Sequence, residues 1–211
     1  GLDASFGNGG FSVSAAGMVA YRSGAGTRTQ LTWFDRSGKT AGTVGDPDEN
    51  ILGYPELSPD ERRVAIDRNV QGNVDVWLLD LLRGGAARFT FDAAADRRPL
   101  WSPDGLQIVF ASSRTNTWDL YTKTSSGAGA EQPLMKSLNQ KVPYSWTADG
   151  RFLLYGEDNP KTARDIWALP MSGANASPAG RSHQEITGDR KPVAVVNSPF
   201  DERNGQFSPD G

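Results

Sequence analysis

The chain has 211 residues and a formal net charge of −3, with 37% hydrophobic residues, 22% charged residues and no cysteine. That is enough chain for one domain with a real core, or for two small ones. It excludes disulfides, thiolate nucleophiles and zinc ribbons, gives a nucleic-acid backbone no basic field to bind, and holds no apolar run near the roughly 18 residues of a membrane span.

Taken in chain order, the sequence predicts short strands in sets of four. A worn Ser14-Ala15-Ala16-Gly17 leads into Met18-Val19-Ala20-Tyr21 and then, farther on, Trp33. Ser58-Pro59-Asp60-Glu61 leads into Val64-Ala65-Ile66 and Trp77, and Ser102-Pro103-Asp104-Gly105 into Ile108-Val109-Phe110 and Tyr121. Thr147-Ala148-Asp149-Gly150 leads into Leu153-Leu154-Tyr155 and Trp167, and Ser208-Pro209-Asp210-Gly211 opens the pattern again. The steps between these motifs are 44, 44, 45 and 61 residues, so one unit repeats and the fourth copy carries an insertion over 173–189.

An apolar residue precedes each motif, at Val13, Leu57, Trp101, Trp146 and Phe207. In S-P-D-G, Ser suits the first turn position, Pro presets φ at the second and Gly takes the last, so the motif predicts a tight hairpin between first and second strands. Glu61 stands where the other copies have Gly, which predicts either a changed turn or strain of about 1–2 kcal/mol. Four strands per unit, at a period of about 44 residues, predict an all-β fold, the four-stranded antiparallel blades of a β-propeller stacked face to face. The units run over about 11–45, 54–90, 98–134 and 142–195, with a partial one at 204–211. The reading is thus four blades plus the first strand of a fifth, an incomplete or oligomer-closed propeller in a single domain, 1–211.

On these residues the chain resembles the TolB-type, WD-like β-propeller repeat family. The aromatic, S-P-D-G, apolar strand and D-[IVL]-[WY] pattern of that family is matched from Trp101 to Tyr121. Tyr21-Arg22-Ser23-Gly24, Leu31 to Lys39 and Asp75 to Leu81 are similar to propeller regions attached to bacterial serine/threonine kinases. That resemblance implies a sensing module in a larger bacterial protein and an extracytoplasmic location. No kinase motif accompanies it, so no kinase activity is carried over. Family propellers have six or seven blades, so the chain is expected to be part of a longer propeller or a short natural product of one. Its open blade faces are expected to pair two copies as a homodimer.

Catalytic groups are sparse. His183 is the single histidine and lies in the 173–189 insertion, and no G-x-S-x-G elbow is present. Asp60, Asp104, Asp149 and Asp210 each have work in their own turn. Asp75, Asp119 and Asp165 are expected to bond backbone amides where the third strands begin. The Trp33, Trp77, Tyr121 and Trp167 column is expected to pack blade against blade. No cofactor and no metal are expected. The remaining candidates are charged loop residues around a channel mouth: Asp92, Asp96, Arg97, Arg98, Asn139, Lys141, Arg114 and Asn116, a mixture that suits a protein or peptide partner. The function expected is a non-catalytic protein- or ligand-interaction module. The alternative is a hydrolase or lyase working from the channel or from the insertion.

Overall fold

The computed structural model describes residues 11–13, 19–23, 28–135, 137–171 and 190–208. The worn motif at Ser14–Gly17, the insertion with His183, and Pro209 to Gly211 lie outside the described residues. No helix occurs among those described.

Among the described residues sixteen strands form four antiparallel sheets, each a meander in chain order. The first holds β1 (Phe11–Val13), β2 (Val19–Ser23), β3 (Thr29–Phe34) and β4 (Thr40–Asp48); the second β5 (Ile51–Leu57), β6 (Arg63–Val70), β7 (Asn73–Asp80) and β8 (Ala86–Arg88). The third holds β9 (Asp96–Trp101), β10 (Gln107–Ser112), β11 (Asp119–Thr124) and β12 (Gln132–Met135); the fourth β13 (Lys141–Trp146), β14 (Phe152–Asn159), β15 (Ala163–Pro170) and β16 (Val193–Val196). The fold is a stack of four-stranded propeller blades.

The repeated turns close the first hairpin of three sheets in one geometry. Glu61 N donates to Ser58 O at 2.8 Å, Gly105 N to Ser102 O at 2.8 Å and Gly150 N to Thr147 O at 2.9 Å. The Asp of each turn accepts from the hydroxyl two residues before it, at 2.6, 2.6 and 2.7 Å for Asp60, Asp104 and Asp149. The Asp60 carboxyl is held below its ordinary range chiefly by the Ser58 hydroxyl, and the Asp149 carboxyl chiefly by the Arg151 amide, down to about 2. Gly105 and Gly150 sit at φ +69° and +70°, and Glu61 at +56°. The turn at Glu61 therefore keeps its type and carries a side chain in left-handed backbone, where Cβ crowds the carbonyl.

Alternation along each strand sends successive side chains to opposite neighbours. On β6, Val64 and Ile66 join Leu31, Val44 and Leu52 between the first and second sheets, while Ala65 faces the third. On β10, Ile108 and Phe110 join Ala65, Val76, Phe89, Trp101 and Tyr121 between the second and third sheets. Val109 faces the other way, into a cluster with Leu100, Leu120, Leu134, Leu153, Tyr155 and Leu169. Leu154 of β14 turns outward with Ile166 and Ala168, and Phe207 packs on that face. Trp33 and Trp77 pack on the first interface, Tyr121 lies in the second and Trp167 packs on the third, so the aromatic column holds sheet to sheet.

Candidate functional site

In a four-stranded meander the link to the next sheet and the second-to-third-strand turn fall at one end, opposite the S-P-D-G hairpins. All eight charged or polar candidates lie at that end of the second to fourth sheets. The structure corrects their setting: Asp96, Arg97 and Arg98 belong to β9 and Lys141 to β13, rather than to loops. Asp96 and Lys141 are fully buried. Charge read as loop is here the beginning of an inner strand, kept inside by a partner from another strand.

Arg114 gathers three carboxylates. Its Nη2 lies 3.1 Å from Asp96 Oδ1 and 2.6 Å from Glu131 Oε2, its Nη1 is 3.8 Å from Asp92 Oδ2, and its Nε donates to Ser112 Oγ at 2.7 Å. The guanidinium stacks 4.3 Å above the Tyr121 ring. Burial pushes the Asp96 carboxyl up, only partly offset by the Ser112 hydroxyl and Arg114. Burial also works against the Arg114 charge, but Glu131 and Asp96 outweigh it and hold the guanidinium above its usual value. Lys123 extends the network, donating to Phe89 O at 2.8 Å and lying 3.7 Å from Glu131 Oε1.

Lys141 makes the second cluster. Its Nζ donates to Asp119 Oδ1 at 2.9 Å and to Asn139 O at 2.8 Å. Asp119 also accepts from Thr115 Oγ1 at 2.6 Å and from the Ser137 amide at 3.2 Å. Asn139 Nδ2 donates to Glu157 Oε1 at 3.1 Å. Arg97 lies over Trp118 at 5.7 Å, and Arg98 lies over Tyr54 at 4.2 Å while donating to its hydroxyl at 2.9 Å. Asn116 is exposed in the turn after β10, at φ +64°. The eight candidates thus form two ion-pair clusters, two stacked arginines and one turn residue.

Sequence reasoning missed Glu131, which no motif marks. It also assigned the third-strand aspartates to backbone amides; their partners are mainly side chains, Arg88 for Asp75 at 2.7 Å and Lys141 for Asp119. Asp165 accepts from Asn159 Nδ2 at 3.0 Å and Thr162 Oγ1 at 2.9 Å. Beside it is a cavity of about 210 Å³ lined by Asn139, Tyr155, Glu157, Asn159, Asp165 and Trp167. Burial, with Glu157 next to it, pushes the Tyr155 phenol well up, so it stays protonated. A second cavity, about 250 Å³, lies between the first two sheets beside Val44, Leu52, Ile66 and Arg68. Among the described residues no three His, Cys, Asp or Glu side chains are grouped to hold a metal ion.

The TolB beta propeller domain profile matches residues 11–177. A solved structure assigned as TolB from Agrobacterium tumefaciens superposes with a TM-score of 0.72 at 17% identity, covering 97% of this chain and 71% of that one. TolB from Acinetobacter baumannii gives 0.68 at 19% identity, over 85% of this chain and 41% of that one. Tricorn protease homolog 1 from Streptomyces coelicolor is 30% identical over 105 residues, which are 49% of this chain and 10% of that protein. The match therefore spans a tenth of that curated relative's length.

Proposed function

This chain belongs to the TolB beta propeller domain family, and from that premise we propose that it serves a larger bacterial protein as a non-catalytic interaction scaffold taking a protein or peptide partner. The observation that carries this reading is the linker end of the second to fourth sheets. Its charges are held in place by the Arg114 and Lys141 clusters, and beside them Phe91 and Leu138 are 65% and 98% exposed. Fixed charge of both signs around exposed apolar side chains gives a partner both register and area to bury.

Panning a displayed peptide library against the whole chain tests this. Selected peptides should lose at least tenfold in affinity for Leu138→Ser and Phe91→Ser. They should bind Leu106→Ser, at the opposite hairpin end, as well as the unaltered chain. Equal losses in all three variants, or no selected peptide at all, would overturn the reading. A second copy of the chain is one such protein partner, since Val193, Val195 and Val196 lie exposed on the edge strand β16. Light scattering at micromolar concentration should then give twice 22.7 kDa; a mass of 22.7 kDa removes self-association.

A further inference from the structure

Three sheets carry an aspartate at or near the start of the third strand, and in two of them the chain itself supplies a cation. Asp75 meets Arg88 Nη2 at 2.7 Å and Asp119 meets Lys141 Nζ at 2.9 Å. Arg88 stands on β8 opposite Trp77; in the same place on β16, opposite Trp167, stands Ala194. Lys141 precedes Trp146 by five residues; the residue five before Phe207 is Glu202. At both places that supply a cation in the earlier units, the fourth has none, yet it keeps the carboxylate of Asp165.

Asp165 is fully buried, and its Oδ1 is enclosed without a hydrogen-bond partner. Buried polar atoms are nearly always satisfied, so an orphan of this kind marks a missing group. Asp165 also stands directly opposite Glu157 on β14. Cross-strand partners share a face, and two like charges there repel unless positive charge joins them. Glu157 is met by neutral donors, Ser137 Oγ at 3.0 Å, Asn139 Nδ2 at 3.1 Å and Tyr155 OH at 3.4 Å. Among the described residues neither carboxylate is in an ion pair. Both line the 210 Å³ cavity, together with the rings of Trp167 and Tyr155.

We propose that this cavity binds an organic cation, a primary ammonium group, with Asp165 and Glu157 as its counter-charges and Trp167 and Tyr155 as its aromatic walls. A hard metal ion such as calcium takes six to eight oxygen ligands, whereas three of the four carboxylate oxygens here already accept from Ser137, Asn139, Tyr155, Asn159 and Thr162, which leaves Asp165 Oδ1. Aromatic faces attract the diffuse charge of an organic cation. Arg88, 2.7 Å from Asp75 and 5.3 Å from the centre of the Phe91 ring, shows the same chemistry of cation, carboxylate and aromatic face satisfied from within the chain. The inference deepens the scaffold reading by naming a ligand class, and it rests on that reading for treating the linker end as the binding end.

The test is a titration of the whole chain with n-butylammonium chloride and, separately, with the blocked tripeptide acetyl-Gly-Lys-Gly-amide. The signal is the indole N–H resonance of Trp167, assigned by its loss in Trp167→Phe. The expected result is saturation by at least one probe at millimolar concentration, weakened tenfold or more in Asp165→Asn and in Glu157→Gln, and unchanged in Asp158→Asn. Both probes saturating means that the group can arrive on a peptide; n-butylammonium alone means a free amine. Two charge-neutralising variants keep the comparison available if one folds poorly. No saturation by either probe, equal binding by both variants, or a stronger response to calcium chloride at equal ionic strength would overturn the inference. Peptide panning that fails while n-butylammonium saturates would sink the scaffold reading alone. The reverse pattern would sink only this one.

Discussion

Replacing Glu61 by glycine should make the protein more stable. At φ +56° the residue sits where Gly105 and Gly150 sit in the equivalent turns, and left-handed backbone costs a side-chain-bearing residue about 1–2 kcal/mol. Glycine returns part of that gain, because its unfolded chain is freer by about 0.5–1 kcal/mol. The net for Glu61→Gly is stabilisation of roughly 0.5–1 kcal/mol, which for a chain of this size raises Tm by about 1–4 °C. Gly105→Ala is the mirror experiment. An added Cβ would lie 3.8 Å from Pro59 Cδ, ordinary contact, so only the backbone conformation is penalised and, with the same offset from the stiffer unfolded chain, stability should fall by roughly 0.5–1 kcal/mol. Urea and thermal unfolding of the three proteins, followed by circular dichroism, give both numbers. A Glu61→Gly protein less stable than the parent, together with a neutral Gly105→Ala, would refute the strain argument.

Two further outcomes follow from the buried charges. Burial pushes the Glu56 carboxyl up to about 7 from 4.5. A raised acid favours folding most below its unfolded pKa, so this contribution is full below about 4.5 and is lost as pH rises through about 7. Glu56→Gln should remove up to about 3 kcal/mol of that decline, read as the difference between the two proteins' urea midpoints at pH 4.5 and pH 8; parallel pH profiles would contradict it. Lys141→Met leaves Asp119 buried without its cation and should cost about 3–5 kcal/mol, with Lys141→Met/Asp119→Asn costing less than Lys141→Met alone. A single-variant loss below 1 kcal/mol would show that the pair is solvated.

The hairpins were legible because a turn is a local matter: Ser, Pro, Asp and Gly each have a conformational reason to stand where they do, and the fixed step between copies gave the sheet order. The sheet-to-sheet packing followed from alternation at Val64-Ala65-Ile66 and Ile108-Val109-Phe110. The candidate site was less legible. Lys141 and Asp96 look like surface charge in a list of residues, and only the partner tells otherwise, for Lys141 an aspartate 22 positions earlier. Glu131 meets Arg114 across 17 positions with no motif between them. Asp165 reads as one more copy of Asp75 and Asp119. What sets it apart is a substitution on another strand, Ala194 in the place of Arg88, and that is visible only once the register is known.

The hairpin turns also face one another. Pro59 faces Gly105 and Pro103 faces Gly150, so the Ser102–Gly105 turn presents a ring to the unit that follows and a bare α-carbon to the unit before it. Such a module carries both halves of its own connector. A copy made by duplication arrives already shaped to accept its neighbour on either side, and lengthening an array in this way requires no new interface to be invented. The same connector disciplines change, because a residue added inside the first hairpin would put that turn out of step with both neighbours. The residues that stretch the period from 45 to 61 fall, in sequence, between β15 and β16 rather than within a first hairpin.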